Sequence, residues 1–259
     1  MKKSKIVLIV LCAFILTIAT ACVSLVALRS DPKCVAHRGL SDAYPDNTES
    51  AFTAAAEAGF YGIETDIRKT ADGRYVCHHD EKVKYADGTE LSVKTSDFSA
   101  LTASPVLNEK TEEDAYICSF ERYLDICKQG GVVAVIEFKE DYSEAEIREI
   151  LSIVDEHYDR AHISMISFYY EALLRVRKAD ESVSLQYLSE TKKDPVFERC
   201  LQDGVSIDVR EPLVTPSLVR AFHKKGLTVN TWTVNKRRDL FFLRILHVDY
   251  ITTNYIAEY

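Results

Sequence analysis

Eight short runs rich in β-branched and aromatic residues punctuate residues 34–253, and most of the gaps between them carry helical periodicity. The runs are CVAH (34–37), YGIETDI (61–67), VVAVIEF (132–138), HISMISF (162–168), VSLQYL (183–188), VSIDV (205–209), LTVNTWTV (227–234) and VDYITT (248–253). The intervening segments, such as TESAFTAAAEAG, SEAEIREILSIVDEHY and PSLVRAFHKKG, are of helical length, and several close on a glycine (Gly59, Gly130, Gly204, Gly226) as helix C-termini do. This alternation of strand and helix points to a parallel sheet covered by helices. Eight such units in roughly 230 residues predict an α/β fold of the (β/α)8, or TIM barrel, type.

A ninth extended run, RYVCHHD (74–80), does not fit the count. It follows YGIETDIRKT across Ala71-Asp72-Gly73, and an Asp-Gly pair between extended runs signals a hairpin. Folding about Asp72 and Gly73 sets Asp66 opposite His79, in a register that a one-residue slip would change. Residues 81–117, rich in Thr, Ser, Asp and Lys, then read as a small insertion after the second strand, lying over the C-terminal face of the barrel.

The first thirty residues differ from the rest. Lys2, Lys3 and Lys5 precede an uncharged apolar run, Ile6 to Leu28, of 23 residues. At about 1.5 Å per residue such a helix spans the roughly 30 Å hydrocarbon core of a bilayer. The run is long for a cleaved signal peptide, so residues 1–30 are expected to form an N-terminal transmembrane helix. Lysines on its amino-terminal side place the body, residues 31–259, outside the cytoplasm. The alternatives are a secreted protein or a lipoprotein modified at Cys22.

Charge narrows the partners. The whole chain carries −8, and its first thirty residues hold four basic and no acidic residues, so −8 minus 4 leaves −12 on the body. Such a body is a poor partner for nucleic acid. An anionic ligand would need a local positive site. Five cysteines lie in the body (Cys34, Cys77, Cys118, Cys127, Cys200), odd in number and without paired spacing, which indicates buried thiols rather than a disulfide framework or a zinc site.

Active sites of such barrels are built at the C-terminal ends of the strands. There stand His37 and Arg38 after the first run, Glu64 and Asp66 on the second, His79 on the hairpin return, and Glu137 and Lys139 on the third. Residues two apart on a strand share a face, so Glu64 with Asp66, and Glu137 with Lys139, point the same way. Converging carboxylates raise one another's pKa values unless a cation joins them, and an all-oxygen donor set favours Ca²⁺ or Mg²⁺ over zinc. The residues alone therefore suggest metal-assisted chemistry on a phosphate.

The order of motifs AHRG, YPDNTESAFTAAAEAGFYGIETDIRKTADGRYVCHHD, IEFK, TVNTWTVN and VDYITTNY, covering residues 34–255, resembles the glycerophosphodiester phosphodiesterase family. The resemblance implies a divalent metal and hydrolysis of glycerophosphodiesters to sn-glycerol 3-phosphate and an alcohol. It implies His37 and His79 as the acid/base pair, and Glu64, Asp66 and Glu137 as metal ligands. Arg38 and Lys139 are implied to hold phosphate oxygens, with Trp232 as an aromatic wall beside the substrate. Two positions depart from the family pattern: Asp46 stands where Glu is usual and Asn254 where Asp is usual, neither expected to touch the catalytic groups themselves. Two rival readings are a lysophospholipase D acting on lysophospholipids and a silent surface protein that binds polyol phosphates.

Overall fold

The computed structural model describes residues 31–255 and position 11. Its strands are β1 (Lys33–Ala36), β2 (Gly62–Lys69), β3 (Tyr75–Cys77), β4 (Lys82–Lys84), β5 (Glu90–Ser92), β6 (Val133–Phe138), β7 (Ile163–Ser167), β8 (Ser184–Ser189), β9 (Ser206–Arg210), β10 (Val229–Trp232) and β11 (Tyr250–Thr253). The helices are α1 (Glu49–Glu57), α2 (Phe98–Leu101), α3 (Phe120–Gly130), α4 (Glu144–His157), α5 (Tyr170–Ala179), α6 (Val196–Asp203), α7 (Pro216–His223) and α8 (Arg237–Leu246).

Eight strands run parallel in the order β1-β11-β10-β9-β8-β7-β6-β2, and β1 pairs back onto β2 through Val35 with Gly62 and Ala36 with Ile63. The sheet is closed into a barrel, consistent with the TIM-barrel expectation. Side-chain alternation divides the packing. On β6, Ala134, Ile136 and Phe138 face outward into the main core with Leu124 of α3 and Ile147 and Leu151 of α4. Val133 and Val135 face inward, toward Val35, Ile166 and Leu188. Each fully buried Ile, Leu or Phe contributes about 1.5–3 kcal/mol. Because the outer layer is predominantly apolar, it supplies most of the stabilisation, and the upper barrel interior is left for polar groups.

Helix starts are set locally. Thr48 caps α1 by accepting from the Ala51 N–H, Ser119 caps α3, and Ser143 with Glu146 forms a reciprocal capping box on α4. Gly204 ends α6 in the left-handed region as expected; on α3 that role falls to Gly131, with Gly130 inside the helix.

The hairpin forms, but its register is one residue off the expected one. Ile67 pairs with Cys77 and Lys69 with Tyr75, so Asp66 meets His78, whose N–H donates to the Asp66 carbonyl at 2.8 Å. Ala71, Asp72 and Gly73 make a three-residue loop in which only Gly73 has positive φ (85°), rather than a two-residue turn. Between β3 and α3, the β4–β5 hairpin and α2 pack on a small core of Val76, Val83, Tyr85, Val93, Leu101 and Ile117. Cys77, Cys118, Cys127 and Cys200 are buried free thiols.

The expected membrane-anchored, extracytoplasmic placement is corrected. Among the described residues no helix is long and apolar enough to cross a membrane. The run on which that placement rested, Ile6 to Leu28, lies outside the described residues apart from position 11.

Candidate active site

The end of β1 turns sharply into the site. The His37 N–H still donates to the Thr253 carbonyl of β11, at 2.8 Å, whereas Arg38 takes a left-handed backbone (φ 56°) and directs its N–H to Glu64 Oε2 at 2.8 Å. Gly39 follows at φ 82°, where a Cβ would lie 2.6 Å from the Ala51 backbone, so only glycine fits this bend. The bend places the Arg38 guanidinium 3.3 Å from both Asp66 Oδ2 and Asp46 Oδ2.

Three carboxylates converge beside it. Asp66 of β2 and Glu137 of β6 are cross-strand partners, and Glu64 lies two residues before Asp66 on the same face. Single oxygens of all three lie within 4.8 Å of one another, and all three side chains are buried. Burial, reinforced by the charges of Asp66 and Glu137, pushes Glu64 well above the usual carboxylate range. Glu137 is pushed up to about 7 by burial and then by Asp66, against the pull of Lys139. Burial also opposes ionisation of Asp66, but Arg38, Lys139, His79 and the Asn47 amide together outweigh it and hold this carboxyl low. Lys139 Nζ bonds Glu137 Oε1 at 2.8 Å and stands 3.5 Å from Asp66 Oδ1, which accepts no hydrogen bond. An oxygen-only donor set, strained by its own charge and with one buried oxygen unpartnered, fits a hard divalent cation.

Asn47, which sequence reasoning passed over, sets the Asp66 rotamer. It is buried at φ 59°, donates to Asp66 Oδ2 at 2.9 Å, and accepts from Thr65 Oγ1 at 2.7 Å. Its only sequence signal was its place in the PDNT motif. Asn47→Ala is expected to cost about 2–3 kcal/mol in urea unfolding, because it strands a buried carboxylate and a buried hydroxyl. A loss under about 0.5 kcal/mol would contradict this role.

The two histidines differ in setting. His37 Nδ1 bonds Asn254 Oδ1 at 2.7 Å, so a residue not expected from sequence to touch the catalytic groups in fact bonds the imidazole. Burial, followed by the Arg38 charge, lowers the His37 pKa to about 4, which keeps the ring neutral at pH 7. With Nδ1–H donated to an amide oxygen, Nε2 keeps its lone pair. His79 lies past the end of β3, is partly exposed, and holds Asp80 Oδ1 at 2.8 Å through Nδ1. Its backbone carbonyl accepts two bonds from the Arg68 guanidinium, at 3.0 and 2.7 Å.

One cleft at the C-terminal end of the barrel, about 400 Å³ including its open mouth, is lined by His37, Arg38, Glu64, His79, Glu137, Lys139 and Trp232. Asp66, the eighth residue singled out from sequence, is fully buried beside them. Trp232 meets Phe168 edge to face with ring centroids 6.0 Å apart. A larger cavity of about 810 Å³, between residues 45–48 and the insertion, contains none of these eight residues. The chemistry therefore belongs to the smaller cleft. Asp46, which lines the larger cavity, bridges Arg38 of the cleft and Lys110. Asp208 and Thr252 also line the cleft, and neither was singled out from sequence.

Comparison with known proteins agrees with this fold. A glycerophosphodiester phosphodiesterase of Bacillus altitudinis is 28% identical over 233 residues, covering 86% of this chain and 94% of its own. A phosphodiesterase of Oleispira antarctica, solved in complex with the product sn-glycerol-3-phosphate, superposes with a TM-score of 0.76 at 19% identity, covering 86% of this chain and 93% of its own. A glycerophosphodiester phosphodiesterase of Parabacteroides distasonis gives 0.74 at 21% identity, with 87% and 94% covered. The profile of the glycerophosphoryl diester phosphodiesterase family matches residues 37–258, nearly the whole body and every side chain of the cleft, and the chain belongs to that family.

Proposed function

We propose that the body of this chain, residues 31–259, hydrolyses glycerophosphodiesters to sn-glycerol 3-phosphate and an alcohol, using a divalent cation, Ca²⁺ or Mg²⁺, and the pair His37 and His79. The observation that carries this reading is the convergence of two imidazoles, two cationic side chains and a buried carboxylate triad on one cleft. Glu64, Asp66 and Glu137 would hold the cation. Bound there, it would neutralise charge developing on the phosphate and lower the pKa of the attacking hydroxyl or water.

The protein's own groups do the rest. Arg38 and Lys139 flank the triad and are placed to hold nonbridging phosphate oxygens, the guanidinium in a fixed fork. His37 is the base: its ring is neutral, its Nδ1 proton is fixed on Asn254, and Nε2 is left to take the proton of the nucleophile. His79 is the acid, with Asp80 orienting its ring so that Nε2 can give a proton to the leaving alcohol. Trp232 and Phe168 wall the cleft and limit water access.

The test is incubation of the body with glycerophosphocholine and enzymatic detection of the released choline, with lysophosphatidylcholine, which also frees choline when cleaved at the same bond, run beside it. Turnover of glycerophosphocholine at least about tenfold above that of the lysolipid is expected. Release of no product from either would favour a polyol-phosphate-binding protein, and a reversed preference would favour the lysophospholipase D.

A further inference from the structure

The barrel interior holds one carboxyl that this mechanism does not use. Asp208 lies in the middle of β9, where Ile207 and Val209 point outward into the main core and Asp208 points inward. It is 1% exposed and lines the cleft together with Thr252 of β11. Asp208 Oδ2 accepts from Asn230 Nδ2 at 3.0 Å, and the same amide nitrogen reaches Thr252 Oγ1 at 3.3 Å. Asp208 Oδ1 has no hydrogen-bond partner. On β8, next to β9, and on β7 and β6 beyond it, the interior is filled by Leu188, Ile166 and Val135. A leucine or valine at 208 would fill space there without desolvating a polar group, whereas an unpartnered buried carboxyl oxygen is costly. Such a group at the wall of a binding cleft points to a ligand that completes it.

We propose that Asp208, braced by Asn230 and joined by Thr252, is the specificity residue for the polyol half of the diester, receiving a glycerol hydroxyl in the cleft. This rests on the hydrolase reading above. A phosphate oxygen is excluded as the partner, since a carboxyl acceptor would repel it. A cation is better served by the triad, which among the described residues is the one group of three close ligand atoms and does not include Asp208. A hydroxyl, which both donates and accepts, meets a carboxyl in either protonation state. Burial first, and the Glu137 charge second, push this carboxyl well above its ordinary range. The cleft is then divided by chemistry: cationic and acidic groups of β1, β2 and β6 face the phosphorus, and the polar row of β9, β10 and β11 faces the carbon chain.

The experiment compares the wild-type body with Asp208→Leu and Asp208→Asn on two substrates: glycerophosphocholine, and bis(p-nitrophenyl) phosphate, which has no polyol. Asp208→Leu is expected to lower kcat/KM for glycerophosphocholine by about 100-fold while changing that for the nitrophenyl diester by no more than about threefold, because a site built to bond a hydroxyl discriminates through it. Asp208→Asn, which keeps hydrogen-bonding capacity, should recover to within about tenfold of wild type. Equal losses on both substrates, or no loss on glycerophosphocholine, overturn the proposal. Calorimetric binding of sn-glycerol 3-phosphate against methyl phosphate decides independently of turnover. Wild type should prefer the former and Asp208→Leu should not; equal affinity in wild type overturns the assignment. A wild-type body that binds with this preference but hydrolyses neither diester would instead refute the hydrolase reading alone.

Discussion

His37→Ala is expected to lower kcat/KM for glycerophosphocholine by about three orders of magnitude, near 4 kcal/mol of transition-state stabilisation. The size follows from how little else could replace the ring. His37 is partly buried, its tautomer is fixed by Asn254, and desolvation with the neighbouring Arg38 keeps it in the base form at neutral pH. A water entering the vacated space has no comparable basicity there, and the Asn254 amide loses its partner. Circular dichroism should show an unchanged fold, since the outer apolar layer is untouched. Asn254→Ala, which frees the ring without removing it, should lose about tenfold. If His37→Ala retains activity within tenfold of wild type, the base lies elsewhere.

Glu64→Gln is expected to separate stability from activity. In the presence of chelator its melting temperature should exceed that of wild type by a few degrees, while hydrolysis falls by about 10³ with metal restored. The sign follows from linkage. Burial, then Asp66 and Glu137, raise the Glu64 pKa above its unfolded value, so ionising it opposes folding: the protonated form stabilises the native state at low pH, and that contribution is lost as pH rises through the folded pKa. Glutamine removes the charge and keeps an oxygen for the Arg38 N–H, now held at 2.8 Å. Added Ca²⁺ or Mg²⁺ should raise the melting temperature of wild type and leave that of the variant nearly unmoved. Two proteins that melt alike in chelator and shift alike with metal would remove Glu64 from the cation site.

Much of this was legible because strands impose a period of two. Glu64 with Asp66 and Glu137 with Lys139 read as shared faces directly from their spacing, and parallel pairing sets Asp66 beside Glu137. What the sequence hid were contacts made by turns and by single polar residues. An Asp-Gly pair reads as a two-residue turn, but Thr70 Oγ1 bonds Asp72 Oδ1 and accepts from the Arg74 N–H, which closes a three-residue loop and moves the ladder by one. Asn254 lies 217 positions from His37, and no local pattern announces that approach. Asp208 stands in VSIDV, where one acid among apolar residues has no phase of its own until the barrel closes around it. The apolar run of residues 6–28 shows the opposite limit, since length and hydropathy alone argued for a placement that the described residues do not carry.

Trp232 is the sole tryptophan of the chain, and its indole borders the cleft, edge-on to Phe168 and with Nε1 3.4 Å from the Asp208 carbonyl. Light absorbed by indole is therefore emitted from this one location, which gives the protein an intrinsic optical reporter. Occupancy of the cleft can be followed in real time on the unlabelled protein, without a coupled reaction.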